Sequence, residues 1–279
     1  MKLLTLNAHS CPDEDDAQHL HALARGILAE APEVIALQES SQNTSAALAG
    51  AALHEGYHPA QHAIPLRADN HAARLVRLLH AAGLPCAWSW LPVKLGYGRY
   101  EEGLALIAPR GRISRVGSRC LSRTRDFSCW KRRAVLAICL QGLPDWFCCV
   151  HMGRWGDPEE PFRRQWQQLS AFVREEATSP AWLLGDFNAP DCLRGEGYDL
   201  IAASRWHDTH RLADVRCGHA TITGAIDGWQ GSTDALRIDH IWCSRPLPIS
   251  ISRTVFDGRR YPVLSDHAGV LIETADPGR

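Results

Sequence analysis

The sequence predicts an α/β fold in which mixed β-sheet is covered on the outside by helices. Short apolar runs of strand length alternate with longer segments of helical spacing. Some of these runs are joined by tight turns, which adds hairpins to the crossovers and makes the sheet mixed. No internal repeat or low-complexity linker interrupts residues 1–279, so a single domain is expected.

Leu3 to Leu6 reads as the first strand. Gln18 to Ala29 has helical spacing through Leu20, Leu23, Ile27 and Leu28, and Val34 to Leu37 fits a short buried strand. Asn70 to Ala82 reads as a helix with Leu75, Leu78 and Leu79 on one face and Gly83 as its stop. Leu104 to Ala108, Ala134 to Leu140 and Trp146 to Val150 are strands, the last two joined by the turn Gln141-Gly142-Leu143-Pro144-Asp145. A long helix is expected over Glu159 to Glu176, where Pro161 is tolerated near the start. Trp182 to Leu184, Ile238 to Cys243, Ile249 to Phe256 and Gly269 to Glu273 complete the strands.

Hydrophobic residues make up 45% of the chain and charged residues 22%, with a net charge of -1. That is a globular composition without the strongly basic balance that general capture of nucleic acid leaves. The first strand begins at Lys2, so no signal peptide is expected, and no apolar run reaches membrane-spanning length. Ten cysteines form no C-x-x-C pair and several sit in strand-like runs, which suits free thiols in a reducing cytoplasm. Cys148 and Cys149 should face opposite sides of one strand.

Polar residues gather at the strand ends. Asn7 follows the first strand, Glu39 the second, His151 follows Val150, and Gly185-Asp186-Phe187-Asn188 follows Leu184. Asp239 enters a late strand, and Ser265-Asp266-His267 precedes the last. Side chains on rigid strand ends can converge on one crevice. Taken singly, each has a plain structural reading: an Asx turn, a solvated carboxylate, a hydrogen-bonding histidine. Together they offer hard oxygen ligands suited to Mg²⁺ and carboxylate-flanked histidines able to carry charge near neutral pH.

Leu6-Asn7, Leu37-Gln38-Glu39, Glu102-Gly103-Leu104, Val150-His151, Gly185-Asp186-Phe187-Asn188, Ile238-Asp239-His240 and Ser265-Asp266-His267 resemble, in this order, the motifs of the endonuclease/exonuclease/phosphatase superfamily. The resemblance spans residues 2 to 273. It implies a four-layer sandwich, two packed mixed β-sheets flanked by helices on both outer faces. It implies a hydrolase of phosphoric esters that uses Mg²⁺, with Mn²⁺ as a substitute. Glu39 would be the main metal ligand, with Asn7 and Asp266 near the metal or the phosphate. Asp186 would align and deprotonate the attacking water, and Asn188 would position Asp186 and a phosphoryl oxygen. His151 and His267 would contact the phosphate, buttressed by Glu102 and Asp239.

Abasic-site endonucleases of this superfamily carry an acidic residue where this chain has His9. The wording of Met1 to Ser10, Gly195 to Ile201, Ile226 to Trp229, Leu236 to Asp239 and Ser122 to Lys131 is similar to a bacterial branch of maltose 6'-phosphate phosphatase type, which dephosphorylates sugar phosphates. His9, Trp155, Trp229 and Arg132 are the candidate substrate-binding residues, the indoles because their faces stack on the apolar C–H faces of a sugar ring. The plain alternative for each tryptophan is packing. The basic segment Arg110 to Arg133 is a solvated hairpin face, a source of a phosphate-binding arginine, or a groove for a nucleic-acid backbone. The expected substrate is thus a sugar phosphate. A nuclease or another phosphodiesterase acting on nucleic acid or a phospholipid headgroup is the first alternative, and a binding module without catalysis the second.

Overall fold

The computed structural model describes residues 1–10, 16–176, 180–224 and 235–275. In chain order the elements are β1 (Lys2–Asn7), α1 (Asp16–Glu30), β2 (Val34–Asn43), α2 (His71–Ala81), β3 (Cys86–Gly96), β4 (Tyr100–Pro109), β5 (Ile113–Cys120), β6 (Ala134–Leu140), β7 (Trp146–His151) and α3 (Phe162–Glu176). They continue with β8 (Ala181–Asp186), α4 (Gly197–Ala203), β9 (His207–Asp208), α5 (Thr209–Leu212), β10 (Ala213–Cys217), β11 (Ile222–Thr223), β12 (Ala235–Leu236), β13 (Asp239–Cys243), β14 (Ile249–Val255) and β15 (Gly269–Thr274).

Alternation along the strands divides the molecule into layers. Leu3 packs with Val34, Leu106, Leu136, Phe147 and Ile272, which places this cluster between two sheets. Its neighbours Leu4 and Leu6 pack instead with Leu23 and Ile27 of α1 and Leu75 and Leu79 of α2. On the far side, Val135, Cys148 and Trp242 pack with Phe162, Trp166 and Leu169 of α3. The result is helix, sheet, sheet, helix, as the motifs imply. One sheet has seven strands in the order β10-β14-β15-β1-β2-β4-β3, the other six in the order β5-β6-β7-β8-β13-β9. Both are mixed, because β1–β2, β10–β14 and β7–β8 are parallel within otherwise antiparallel ladders.

Local chemistry accounts for several boundaries. Asn70 caps α2 by accepting from the Ala73 amide at 3.0 Å. The second strand runs six residues beyond Leu37, to Asn43, where polarity hides it from an apolar pattern. Those polar side chains are satisfied inside: Gln42 Nε2 donates to Glu101 at 2.7 Å and to the Pro65 carbonyl at 3.0 Å. The helix expected from Glu159 starts at Phe162 instead. Glu160 is drawn off to accept from the amides of Arg123 and Thr124 at 2.6 and 2.7 Å. Strands β3 and β5 escape the sequence pattern, the former being buried almost throughout and the latter carrying arginines on its open face.

Cys148 lies under α3 and Cys149 between the sheets, on opposite faces as expected. The nine described cysteines are all free, and Cys11 lies outside the described residues. Among the described residues no helix is long and apolar enough to cross a membrane.

Candidate active site

Three neighbouring strands of the six-stranded sheet bring polar residues to one edge. Asp186 at the end of β8 is the ladder partner of His151 on β7 and of Asp239 on β13. Gly185 makes this approach possible: at its φ of +150°, an added Cβ would meet the Val150 carbonyl oxygen at 1.9 Å. From the facing sheet, Asn7 ends β1. Strand β2 is bulged between Leu37 and Ser40, and within the bulge Glu39 takes a φ of 49°. A bulge re-aims a side chain, and here it turns Glu39 into the same space.

These residues surround a cavity of about 870 Å³, lined among others by His9, Glu39, His151, Asp186, Asp266 and His267. Glu102 and Asn188 also face it. Asn7 and Asp239 stand just behind the wall. Asn7 Nδ2 donates to Glu39 Oε1 at 3.0 Å and to Asp186 Oδ2 at 3.2 Å. Asp186 Oδ1 accepts from the Asn188 amide at 2.8 Å, and Asn188 Nδ2 donates to the Met152 carbonyl at 3.0 Å. His267 Nδ1 donates to Asp239 Oδ2 at 2.8 Å. Asp186 Oδ2 then lies between two imidazoles, 3.5 Å from His151 Nε2 and 3.9 Å from His267 Nε2.

The two histidines differ in charge. Burial lowers the affinity of His267 for a proton, but the Asp239 carboxylate outweighs it and raises the imidazole to about 10. His151 is held well below the ordinary imidazole range by burial and by the cationic Arg133, Lys94 and His267. The sequence reading made both histidines cationic; His151 departs from it because no carboxylate lies within hydrogen-bond distance to offset burial. Asp186 is pushed up to about 7 by burial and by the Asp239 charge, with His267 pulling the other way. His9 is raised to about 9, chiefly by its hydrogen bond to Asp266, whose Oδ1 lies 3.3 Å from His9 Nδ1.

Three further expectations change. Glu102 faces the cavity, yet it is paired with Lys94 Nζ at 2.9 Å and does not buttress His151. Arg132 turns away to the Val93 carbonyl and the Phe127 ring, and Arg133 lines the cavity in its place. Trp155 packs on Phe162 with ring centroids 6.0 Å apart, and the Arg163 guanidinium covers the indole at 4.4 Å. It forms no part of the cavity wall. Trp229 lies outside the described residues. Arg133, Lys94, Tyr97 and Trp130 line the cavity without having been singled out as site residues. The signals for two of them were the basic segment that contains Trp130 and Arg133 and the stretch Ser122 to Lys131, which contains Trp130.

The donor set fits a hard divalent cation. Glu39, Asp186, Asp239 and Asp266 make no ion pair with Lys or Arg among the described residues; their partners are imidazoles, the Asn7 side-chain amide, the Asn188 backbone amide and the Ser265 hydroxyl. Asp239 Oδ1 is buried with no hydrogen-bond partner. Such an excess of carboxylate oxygen is what magnesium-type sites offer. Two groups bring ligand atoms within 4.8 Å of one another: Glu39, Glu102 and His151, and Asp186, Asp239 and His267.

Comparison with known proteins agrees with this fold. The solved structure of an endonuclease/exonuclease/phosphatase family protein from Leptotrichia buccalis superposes with a TM-score of 0.84 at 23% identity, covering 99% of this chain and 100% of that one. A mannosyl-6-phosphatase from Bacteroides thetaiotaomicron is similar at a TM-score of 0.66 and 17% identity, covering 99% and 100%. A 3'-5' exonuclease from Neisseria meningitidis is similar at 0.61 and 21%, covering 99% and 100%. At these identities the likeness shows the fold. No curated protein sequence matches the chain. The family model described as Endonuclease/Exonuclease/phosphatase family matches residues 4–267. The chain therefore belongs to the endonuclease/exonuclease/phosphatase family and is a hydrolase of phosphoric ester bonds.

Proposed function

We propose that the chain is a metal-dependent phosphomonoesterase that releases phosphate from a small phosphorylated sugar by in-line attack of water. The observation that carries this reading is Asp186, a buried carboxylate raised to about 7 and set between one neutral and one cationic histidine. A base whose pKa lies near the working pH is well matched to taking a proton from water. His267 donates from Nε2 to a phosphoryl oxygen, with Asp239 holding its orientation and charge. Neutral His151 offers one N–H to the same group. Asn188, fixed by Met152, orients Asp186. Phosphoryl transfer asks the protein mainly for positioning and charge neutralisation, and this arrangement supplies both.

Glu39 and Asp266 would hold the ion, with the Asn7 amide steering the Glu39 carboxylate; Mg²⁺ is the expected metal and Mn²⁺ a substitute. When bound, it would neutralise phosphate charge. His9, between Glu39 and Asp266, faces the incoming substrate.

A sugar ester is favoured over nucleic acid by charge. The basic segment is neutralised in part: Arg115 and Arg119 pair with Glu176 and Glu175 of α3, and Lys131 pairs with Asp157 and Glu159. One anionic group can be met in the cavity, and a chain of net charge -1 lacks the broad positive field that a phosphate backbone calls for. The mannosyl-6-phosphatase neighbour supports the sugar ester, and a Neisseria neighbour described as a 3' phosphatase bound to a product DNA hairpin supports the nucleic-acid alternative. Free thiols at all nine described cysteines support the cytoplasm as the compartment.

The test is phosphate release with Mg²⁺ from mannose 6-phosphate, glucose 6-phosphate, inositol phosphates, nucleotides and abasic-site DNA, side by side. Hexose phosphates should be the best substrates. Efficient DNA cleavage with no phosphate from any sugar ester would replace this reading with the nuclease.

A further inference from the structure

Segment 130–133 places two unlike groups at one end of the catalytic cavity. Trp130 lines the cavity yet is 62% exposed, and Tyr97, 68% exposed, lines the same cavity. The aliphatic and aromatic core elsewhere is closed, with Trp88, Trp90, Trp182 and Trp242 fully buried. An indole left in water at the rim of a polar cavity adds nothing to folding, and aromatic cavity walls are a common means of holding a ligand.

Arg133 is the opposite case, 7% exposed and facing into the cavity. Its Nη1 donates to the carbonyls of Trp130 and Arg132 at 2.9 and 3.0 Å, and its Nε has no partner. The cations beside it in the cavity wall are already engaged, Lys94 by Glu102 and Lys131 by Asp157. Arg133 forms no carboxylate ion pair among the described residues. A buried guanidinium held by backbone carbonyls, with donors left over, calls for an anion. Its anchor is the carbonyl of Trp130 itself, so the cation and the indole are set by the same turn of chain.

We infer that Trp130 and Arg133 together form the subsite that selects a phosphorylated sugar, Arg133 taking a phosphoryl oxygen and Trp130, with Tyr97 beside it, stacking on the sugar ring. This rests on the phosphomonoesterase reading above and names the residues that would give it a preference for sugars. Trp130 acts on ring recognition alone, and Arg133 on every phosphate ester alike. Lys131, whose Nζ lies 5.4 Å from the Trp130 ring centroid, helps to fix the indole.

The test uses mannose 6-phosphate, glucose 6-phosphate and propyl phosphate, which share a primary alkyl leaving group and differ in the ring. A 3'-phosphorylated oligonucleotide is included as the competing class. Wild type is compared with Trp130→Ala, Trp130→Phe and Arg133→Lys. Trp130→Ala should raise KM for the better hexose phosphate on the order of tenfold, leave kcat nearly unchanged and leave propyl phosphate unaffected. Trp130→Phe should recover most of the loss. Arg133→Lys should lower kcat/KM for hexose and propyl esters by the same factor. Trp130 is exposed, so its variants fold even where the Arg133 variant does not. Equal effects of Trp130→Ala on ring and propyl esters, or none, overturn the inference while the phosphatase reading stands. A KM effect on the oligonucleotide and not on the hexose also overturns it. If the wild type itself releases phosphate no faster from either hexose ester than from propyl phosphate, the sugar-phosphate reading has failed first and this inference falls with it.

Discussion

His267 and Asp239 are joined at the centre of the site, Nδ1 to Oδ2 at 2.8 Å, which leaves Nε2 of the imidazole directed at Asp186. The dyad and the base are therefore electrically linked: Asp239 raises the proton affinity of both His267 and Asp186. With Asp186 as the proposed base and His267 as the proposed donor, the rate should follow a bell in pH with limbs near 7 and 10. Asp239→Asn removes one charge and lowers both affinities. Its kcat should fall by about two to four orders of magnitude. Both limbs of the residual profile should move to lower pH, the alkaline limb further. A profile unmoved on both sides would take Asp239 out of the charge balance.

The metal prediction rests on Glu39, turned into the cavity by the β2 bulge and left without a Lys or Arg partner among the described residues. Chelation should abolish phosphate release, and Mg²⁺ or Mn²⁺ should restore it. Glu39→Ala should need at least about tenfold more metal for half-maximal activity, as happens when weaker, outer-shell partners are lost. Titration calorimetry with Mg²⁺ gives the same comparison without turnover. Undiminished activity in excess chelator would remove the metal from the reaction.

Much of this site was readable in the sequence because strand ends are where apolar runs stop, and the side chain after the stop is rigidly placed. Asn7, His151, Asp186 and Asp239 were singled out that way, and the structure brings the last three to one edge with Asn7 facing them from the other sheet. Pairing across the cavity was not readable. Glu102 is claimed by Lys94, a residue on a strand whose burial on both faces erases the two-residue period. The charge of His151 depends on Arg133, Lys94 and His267, three cations from distant parts of the chain. Choosing among aromatics failed for a similar reason. Trp155 follows a catalytic motif but is covered by Phe162 and Arg163, whereas Trp130, inside the Ser122 to Lys131 stretch but not singled out there, stands open.

Ionic strength should separate the two substrate classes. A single phosphate in a charge-balanced cavity releases few counterions, so kcat/KM for mannose 6-phosphate should change by no more than about threefold between roughly 50 and 200 mM salt. A protein making six to ten phosphate contacts would lose about three to five orders of magnitude in affinity over that range. A steep salt slope on the sugar ester would mean that more charge is neutralised than one phosphate carries.

Stability should depend on a second buried network, whose residues do not line the cavity. Arg237, 2% exposed, donates to Asp208 Oδ1 at 3.1 Å and to Oδ2 at 2.5 Å, and to Asp191 at 3.0 Å; Tyr198 donates to Asp208 at 2.6 Å. Burial would raise Asp208, but Arg237 holds its carboxyl well below the usual range. The neighbouring His240 is lowered to about 4 by burial and by the Arg237 charge, with Nε2 donating to the Ala189 carbonyl at 2.9 Å. A histidine whose folded pKa lies below its unfolded value contributes stability above the unfolded pKa and loses it as pH falls. His240 should thus cost stability as pH drops from 6.5 towards 4, at most about 3 kcal/mol at 1.36 kcal/mol per unit. Asp208 adds a further loss below about 4. Arg237→Met should destabilise by about 3–5 kcal/mol by leaving the Asp208 carboxylate buried and unpaired, and Asp208→Asn in the same chain should return part of that. The measurement is urea denaturation of wild type and His240→Gln in chelator at several pH values. The difference between the two is decisive, because raised groups such as His267 and Asp186 titrate with the opposite sign and cancel in it. A difference that stays constant from pH 7 to 4 would show that His240 is not held neutral by its surroundings.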